Sequence, residues 1–206
     1  MFTNDGELCM TNISILVSGG GSNMQAIIDG ISAGKIENAR VALVISSSTT
    51  AYAIERADRA GIPVEVISSK NVPDEDEREK RLLGALKEAN TDFILLAGYM
   101  KILPSSIVNE YKDRILNIHP SLIPKHCGKG YYGKIVHQSV LDAGDTESGA
   151  TVHFVDEGVD TGRIIIQKKV PVLDGDTVEM LADRVLDVEH EIIVEAVNEV
   201  VNKKRG

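Results

Sequence analysis

The sequence predicts a single α/β domain built on a mostly parallel β-sheet with helices on both faces. Short apolar runs alternate with segments of helical spacing, and the runs lie at 13–18, 41–45, 64–67, 93–97 and 115–118. Strands joined through helices pair in parallel, and their right-handed crossovers place helices on both sides of the sheet. Ligands of such sheets bind beyond the carboxyl ends of the strands, where functional residues are therefore expected.

The turns and helices between these strands follow a regular order. The first strand ends at three glycines, after which apolar residues at 24, 27, 28 and 31 keep helical spacing. Further helices are expected at 51–60, 78–89, 105–111 and 132–143, and a polar, acidic connection is expected at 70–77.

The last quarter of the chain departs from the alternation. Residues 150–155 and 164–170 are two strand candidates close enough in sequence to form a β-hairpin. Apolar residues then recur on one face from 178 to 200, which predicts a long C-terminal helix capped by Asp176 or Thr177.

Composition narrows the classes of function. The chain has 206 residues, 43% of them hydrophobic, and we predict one domain over 12–202 after an N-terminal extension at 1–11. A net charge of −9 without a basic stripe argues against binding of nucleic acid. No apolar run is long enough for a membrane span or signal peptide, so a cytoplasmic location is expected, and Cys9 and Cys127 are interpreted as free thiols.

The glycine-rich turn after the first strand predicts a phosphate site. Ser18–Asn23 would present unpaired backbone N–H groups at a helix N-terminus, where the helix dipole also favours an anion. A tight structural turn is the plainer interpretation. A dinucleotide site would need a glycine at Met24 and an acidic residue near Ser46, and a nucleoside triphosphate loop would need a lysine, so both are disfavoured.

Asn117 and His119 are candidates for catalysis. Alternate residues of a strand project from the same face with Cα atoms about 6.5 Å apart, so both side chains can reach one reacting group. An amide can donate to an oxyanion, and an imidazole exchanges protons near neutral pH. Taken alone, the pair is equally consistent with a polar strand edge whose hydrogen bonds are satisfied within the protein.

Four segments resemble the formyltransferases that use 10-formyltetrahydrofolate, and in particular those that act on glycinamide ribonucleotide in purine synthesis. They are Ser18–Asn23, Leu96–Met100 (LAGYM), Asn117–Pro124 (NIHPSLIP) and Thr151–Thr161 (TVHFVDEGVDT). The resemblance implies direct formyl transfer to the amine through a tetrahedral intermediate, with neither metal nor covalent nucleophile. His119 and Asn117 would be the catalytic pair, and Asp160 would orient the histidine and keep it charged.

The same resemblance implies the binding residues. Gly20, Gly21, Ser22 and Asn23 would hold the ribose phosphate, and Glu189 would bind the ribose. The folate cleft would be lined by Met100, Lys101, Ile102, Leu103, Asn117, Asp156, Glu157, Gly158, Val159 and Asp160. A cis peptide bond is expected between Ile123 and Pro124.

Several residues fall outside this pattern. The segment 126–132 replaces a shorter stretch of many family members, and Lys101 stands where arginine is frequent. His126, Cys127 and His137 lack the paired spacing of a zinc site, so no metal is expected. His153 alternates with core residues on a strand and His190 follows Glu189 on a helix, so both are interpreted as structural.

Three other functions compete with this one. A methionyl-tRNA formyltransferase would need a further C-terminal domain and a basic surface, and a formyltetrahydrofolate hydrolase would need an N-terminal regulatory domain. A binding module could keep the fold without the chemistry, although the intact Asn117, His119 and Asp160 argue against it. The expected partners are small molecules, and the sequence leaves open whether the protein is a monomer or a homodimer.

Overall fold

A computed structural model describes residues 10–203 and shows one seven-stranded sheet with the strand order β3-β2-β1-β4-β5-β6-β7. The strands are β1 (Thr11–Val17), β2 (Ala39–Ser46), β3 (Val64–Val66), β4 (Phe93–Leu96), β5 (Ile115–His119), β6 (Glu147–Phe154) and β7 (Ile164–Pro171). Strands β1 to β5 pair in parallel, as the alternating pattern predicts. Strands β6 and β7 form the expected hairpin, which adds to β5 in antiparallel orientation.

Six helices complete the described part of the chain. They are α1 (Ser22–Ser32), α2 (Tyr52–Arg59), α3 (Glu75–Glu88), α4 (Ser105–Glu110), α5 (Lys134–Asp142) and α6 (Val178–Lys203). None of these six is both long and apolar enough to cross a membrane. The expected α/β class, hairpin and long C-terminal helix are therefore confirmed.

The sheet separates two apolar cores because successive strand residues point to opposite faces. On one face, Ile15 and Val17 of β1 pack in a cluster that extends to α1, α2, α5 and α6. On the other face, Leu16 packs in a cluster with residues of α3 and α4. The central strands are buried on both sides and therefore read as continuous apolar runs rather than alternating ones.

Two helices begin at least two residues away from the predicted start, whereas α2 begins one residue late at Tyr52. Helix α3 starts at Glu75 because the Asp74 carboxylate accepts a hydrogen bond of 2.8 Å from the N–H of Glu77, so part of the predicted connection is the first helical turn. Helix α5 starts at Lys134, later than predicted, because Gly133 takes a φ of 53° and a ψ of −135°, outside the helical region.

The cap of α6 and the start of β1 are also defined. Thr177 Oγ1 accepts from the N–H of Met180 at 3.2 Å, whereas Asp176 pairs with Arg184 at 2.6 Å. Thr177 is therefore the cap. Strand β1 begins at Thr11, and Cys9 with the rest of the predicted extension up to residue 9 lies outside the described residues. Cys127 is a free thiol, and the expected cis bond between Ile123 and Pro124 is present.

Gly149 of β6 lies opposite Lys169 of β7. A Cβ there would collide with the carbonyl oxygen of Lys168 and lie 2.7 Å from Leu122 Cδ2. We expect Gly149→Ala to lower the free energy of unfolding by about 1–3 kcal/mol, because backbone on the neighbouring strand must shift.

Gly84→Ala is the matched control, because nothing lies within 4 Å of a Cβ at Gly84 inside α3. Alanine there should raise the free energy of unfolding by about 0.5–1 kcal/mol. Urea denaturation of both variants measures the difference, and equal stabilities would contradict the packing argument.

Candidate active site

A cleft of about 600 Å³ opens beside the carboxyl ends of β4 and β5. Its walls are the segments that follow β4, β5 and β6, and its floor includes side chains from α1 and α6. The position agrees with the rule for open parallel sheets, because these strand ends are where backbone and side chains remain available to a ligand. Most of the residues singled out in the sequence lie on its surface.

His119 is the last residue of β5 and only 6% of its side chain is exposed. Its Nε2 donates a hydrogen bond of 3.0 Å to the main-chain carbonyl of His126, and its Nδ1 lies 3.7 Å from Asp160 Oδ2. A carbonyl oxygen can only accept, so the neutral ring carries its proton on Nε2. Nδ1 is then the basic nitrogen of the ring.

The pKa of His119 is lower than that of an ordinary histidine. Burial disfavours the charged ring and outweighs the negative charge of Asp160, which acts in the opposite direction. Asp160 thus acts in the direction that its expected role requires, because it raises the pKa of His119 relative to burial alone, and its role in keeping the ring charged stays a prediction. In the protein without substrates, the ring therefore favours its neutral form near neutral pH.

Asn117 is held beside this ring by His153, for which the sequence pattern had indicated only a structural role. Its Nδ2 lies 3.1 Å from Nε2 of His153, which is the residue directly opposite in the β5–β6 register. Since Nδ1 of His153 lies 2.8 Å from the carbonyl oxygen of Phe154, it is the protonated nitrogen and Nε2 accepts from Asn117. The second contact of Asn117 Nδ2, 3.4 Å to Asp160 Oδ1, is long and weak.

Asp160 approaches the two strand residues from the loop after β6. Its φ of 58° is a left-handed conformation that aspartate tolerates better than most side chains. Its Oδ2 accepts a hydrogen bond of 2.9 Å from the N–H of Gly128. Burial acts to raise the pKa of Asp160, but His153, His119 and the Gly128 N–H together hold it below its usual range, so the carboxylate is charged.

Asn23 and Glu189 form a second polar centre in the cleft. Asn23 Nδ2 donates a hydrogen bond of 2.6 Å to Glu189 Oε2, although the residues are far apart in the chain. Burial raises the pKa of Glu189 to about 7, and the hydrogen bond from Asn23 opposes this only in part. Asn23 Oδ1 is buried without a hydrogen-bond partner, and such an atom is available to a ligand donor.

The glycine turn is arranged so that its carbonyl groups face the protein. The carbonyl of Gly19 accepts from the N–H of Ala53, and that of Gly20 accepts from Arg56 Nε at 2.9 Å. In a trans peptide the following N–H points the opposite way, so the N–H groups of Gly20 and Gly21 are directed away from these contacts. Gly21, with φ 72°, would meet Ala53 if it carried a Cβ.

The turn lies beside the cleft rather than along its wall. Of the four residues predicted to bind phosphate, only Asn23 lines the cleft, whereas Ser22 borders a separate groove between α1 and α6. Gly20 is exposed in the turn before α1. An anion held by the turn would therefore lie at the end of the cleft that Asn23 and Glu189 mark.

All residues predicted to contact folate line the cleft. They are Met100, Lys101, Ile102, Leu103, Asn117, Asp156, Glu157, Gly158, Val159 and Asp160. Met100, Ile102 and Val159 expose 52%, 74% and 40% of their surface and make the opening of the cleft apolar. Large exposed apolar side chains around a concavity are typical of a site for an aromatic or partly apolar ligand.

The cleft also contains residues that the sequence did not single out for function. His137 of α5 is buried, and burial followed by the nearby His119 lowers its pKa. Tyr131 and Tyr132 lie on the rim that departs from many family members. His137 could not be recognised because its position depends on how α5 packs. Among residues 10–203, no group of three or more potential ligands is arranged to hold a metal.

Comparison with known proteins agrees with this geometry. Residues 11–197 match the family described as formyl transferase. A phosphoribosylglycinamide formyltransferase of Haemophilus influenzae is 42% identical over 89% of this chain and 84% of its own length. The crystal structure of glycinamide ribonucleotide transformylase 1 from Symbiobacterium toebii superposes with a TM-score of 0.86 at 42% identity, covering 94% of this chain and 88% of that one.

Other relatives are longer. The trifunctional purine biosynthetic protein adenosine-3 of Drosophila pseudoobscura is 47% identical over 86% of this chain, which spans 13% of that protein. The chloroplastic phosphoribosylglycinamide formyltransferase of Arabidopsis thaliana is 42% identical, and the chain covers 66% of its length. With a match across nearly all of the described residues, the chain belongs to the formyl transferase family.

Proposed function

We propose that the protein transfers the formyl group of 10-formyltetrahydrofolate to the amine of glycinamide ribonucleotide, a step of purine biosynthesis. The observation that carries the proposal is the cluster of His119, Asn117 and Asp160 at the end of β5, inside a cleft with an apolar opening and a polar far end. The names of the relatives from Haemophilus influenzae and Symbiobacterium toebii support the choice of nucleotide.

The polar end of the cleft suits a ribose phosphate. The N–H groups of the glycine turn would bind the phosphate at the start of α1, where the helix dipole adds to the attraction. Glu189 and the unpartnered Oδ1 of Asn23 would accept hydrogen bonds from ribose hydroxyl groups. The nucleotide would then extend from the turn towards His119, with its amine near the catalytic cluster.

The other end suits a folate. Its aromatic ring system needs apolar surfaces above and below and polar partners at its edge, and the cleft provides both. Met100, Ile102 and Val159 supply apolar surface, while Asp156 and the backbone of the segment 156–160 supply polar groups. The residues present therefore fit the cosubstrate, whose formyl carbon would lie between the two ends, beside His119.

His119 has the protonation state needed to start the reaction. As the amine nitrogen bonds to the formyl carbon, Nδ1 of His119 takes the proton that the amine loses, and the ring becomes an imidazolium beside the charged Asp160. The same Nδ1 then returns the proton to the folate nitrogen, which leaves as its bond to carbon breaks. One histidine acts as base and then as acid.

Asn117 would stabilise the negative charge that develops on the formyl oxygen. One N–H of its amide is engaged by His153 at 3.1 Å, which fixes the plane of the side chain. The other N–H makes only the 3.4 Å contact with Asp160, and a substrate oxyanion would be a stronger acceptor for it. His153 therefore contributes by holding Asn117 ready for the reaction.

The decisive experiment mixes purified protein with glycinamide ribonucleotide and 10-formyltetrahydrofolate and follows deformylated folate spectrophotometrically. Folate should be released only when the amine is present, with one formylated nucleotide formed for each folate. Release of deformylated folate without the amine would indicate a hydrolase. No release either with or without the amine would reject the proposed function.

His119→Ala should lower turnover by about 10²–10⁴-fold, the usual effect of removing a general acid or base. Nucleotide binding, measured by calorimetry, should be nearly unchanged because Asn23 and Glu189 remain. Gln138→Ala is the control, since Gln138 is exposed on α5 and lines neither the cleft nor the groove between α1 and α6. Near-normal turnover of the His119 variant would reject its catalytic assignment.

Asp160→Asn tests the charge behind the histidine. Turnover depends on neutral His119, so it should fall as the pH drops through the pKa of that ring. Because Asp160 raises this pKa, its removal should move the acid limb of the pH–rate profile to lower pH. Maximal turnover should also fall by at least about 10²-fold, since the imidazolium loses its partner.

The exposed Asp174 provides a control for the loss of one negative charge. Asp174→Asn should leave both the maximum and the acid limb in place. An acid limb that stays fixed in Asp160→Asn would contradict the electrostatic role of Asp160.

Glu189→Gln should change how stability depends on pH. The folded protein holds the proton of Glu189 up to about pH 7, whereas the unfolded chain loses it near the ordinary value of 4.5. The folded state binds more protons in this window, so stability falls as pH rises from about 4.5 to 7. The Gln variant should lack this decline, on the order of 1–3 kcal/mol, in urea denaturation at several pH values.

The same variant should bind the nucleotide more weakly if Glu189 accepts ribose hydroxyl groups. Parallel stability curves for the wild type and the variant between pH 4.5 and 7 would show that Glu189 is not protonated in the folded state.

A further inference from the structure

The segment between β5 and α5 contacts both His119 and Asp160. The main-chain carbonyl of His126 accepts the hydrogen bond from His119 Nε2, and two residues later the N–H of Gly128 donates to Asp160 Oδ2. The distances are 3.0 Å and 2.9 Å. The conformation of this short segment therefore sets where the histidine ring and the carboxylate lie relative to each other.

The side chain of His126 anchors this segment to α5 and to the turn that follows it. Its Nδ1 lies 2.8 Å from Ser139 Oγ, and its Nε2 lies 2.9 Å from Asp145 Oδ2. Only 14% of the ring side chain is exposed. His126 also has a φ of 51°, so its backbone adopts a conformation that non-glycine residues seldom take. The ring contacts hold the residue in that conformation.

Two further contacts define the partners of this ring. Ser139 Oγ also lies 2.7 Å from the carbonyl oxygen of Val136 in α5. Hydrogen bonds from His126 and then Lys125 hold the pKa of Asp145 below its usual range, so this carboxylate is charged and accepts from Nε2 of His126. The ring is therefore held at both of its nitrogens.

The surroundings of the ring add one charged and one aromatic neighbour. Asp145 is shared with Lys125, whose Nζ lies 2.9 Å from Oδ1, and the ring of Tyr131 approaches His126 edge-on with ring centroids 6.4 Å apart. His126 therefore connects Asp145 and Ser139, which contact its ring, to His119, which contacts its main chain.

We propose that His126, held by Asp145 and Ser139, is a positioning residue that fixes the ring orientation and tautomer of His119. Its carbonyl keeps the His119 proton on Nε2 and so leaves Nδ1 as the proton-transfer atom facing Asp160. The effect on turnover rests on the proposed formyl transfer, whereas the effect on the His119 tautomer does not. Lys125 shares the carboxylate but is exposed and dispensable for this role.

Nuclear magnetic resonance of ¹⁵N-histidine-labelled protein tests the tautomer directly. The chain has five histidines, and His119→Ala and His126→Asn identify two of them by loss of signal. At neutral pH, long-range ¹H–¹⁵N spectra of the wild type should show His119 protonated on Nε2 only. Asparagine is chosen at 126 because it tolerates positive φ, so backbone strain does not complicate the comparison.

In His126→Asn and in Asp145→Asn, the His119 signals should move towards a mixture of the two tautomers. Lys125→Ala is the matched control and should keep the wild-type pattern. Turnover should fall about 10–100-fold in the first two variants while the KM for the nucleotide changes less than about twofold, because a displaced proton-transfer group affects chemistry more than binding.

An unchanged His119 pattern in both variants would overturn the proposal, as would an equal loss of turnover in Lys125→Ala. If His126→Asn does not fold, the His119 pattern of Asp145→Asn alone tests the positioning role. A tautomer shift in a protein whose wild type transfers no formyl group would support the positioning role and reject the proposed function.

Discussion

The site depends on the antiparallel addition of β6 to the end of a parallel sheet. This pairing sets His153 opposite Asn117 and brings the loop that follows β6 to the end of β5. Without the β5–β6 pairing, Asn117 would lack the partner that orients its amide. His119 would lack the carboxylate that compensates a charge on its ring. The hairpin thus converts an ordinary strand end into a place where an amide, an imidazole and a carboxylate meet.

Burial lowers the pKa of His119 and the charge of Asp160 raises it, and the effect of burial is the larger. A fully exposed histidine beside a carboxylate would be largely charged near neutral pH, and a charged ring could not accept a proton from an amine. Burial shifts the ring to its neutral form, while Asp160 lies close enough to stabilise the charge once it forms. In the proposed reaction, this arrangement would stabilise the protonated ring only after the amine has given up its proton, and stabilisation at that point accelerates the step.

The two ends of the cleft differ because different parts of the fold build them. The end proposed for the nucleotide contains Asn23 and Glu189, which come from the first and last helices of the described chain, beside the glycine turn. The end proposed for the cosubstrate is made of loops with exposed apolar side chains. Polar side chains on helices would suit a small phosphorylated substrate, and loops would suit a larger ligand that has to enter and leave.

Local pattern in the sequence was enough to predict the α/β class, the strand order along the chain, the glycine turn and the spacing of Asn117 and His119, because these follow from periodicity and backbone chemistry. Resemblance to a family extended the prediction to Asp160, Glu189 and the cleft-lining segments. The neutral state of His119, the contact between Asn117 and His153, and the anchoring of His126 by Asp145 were decided only in the tertiary structure. Each of these features depends on how deeply a side chain is buried or on a partner distant in the chain, and a short stretch of sequence specifies neither.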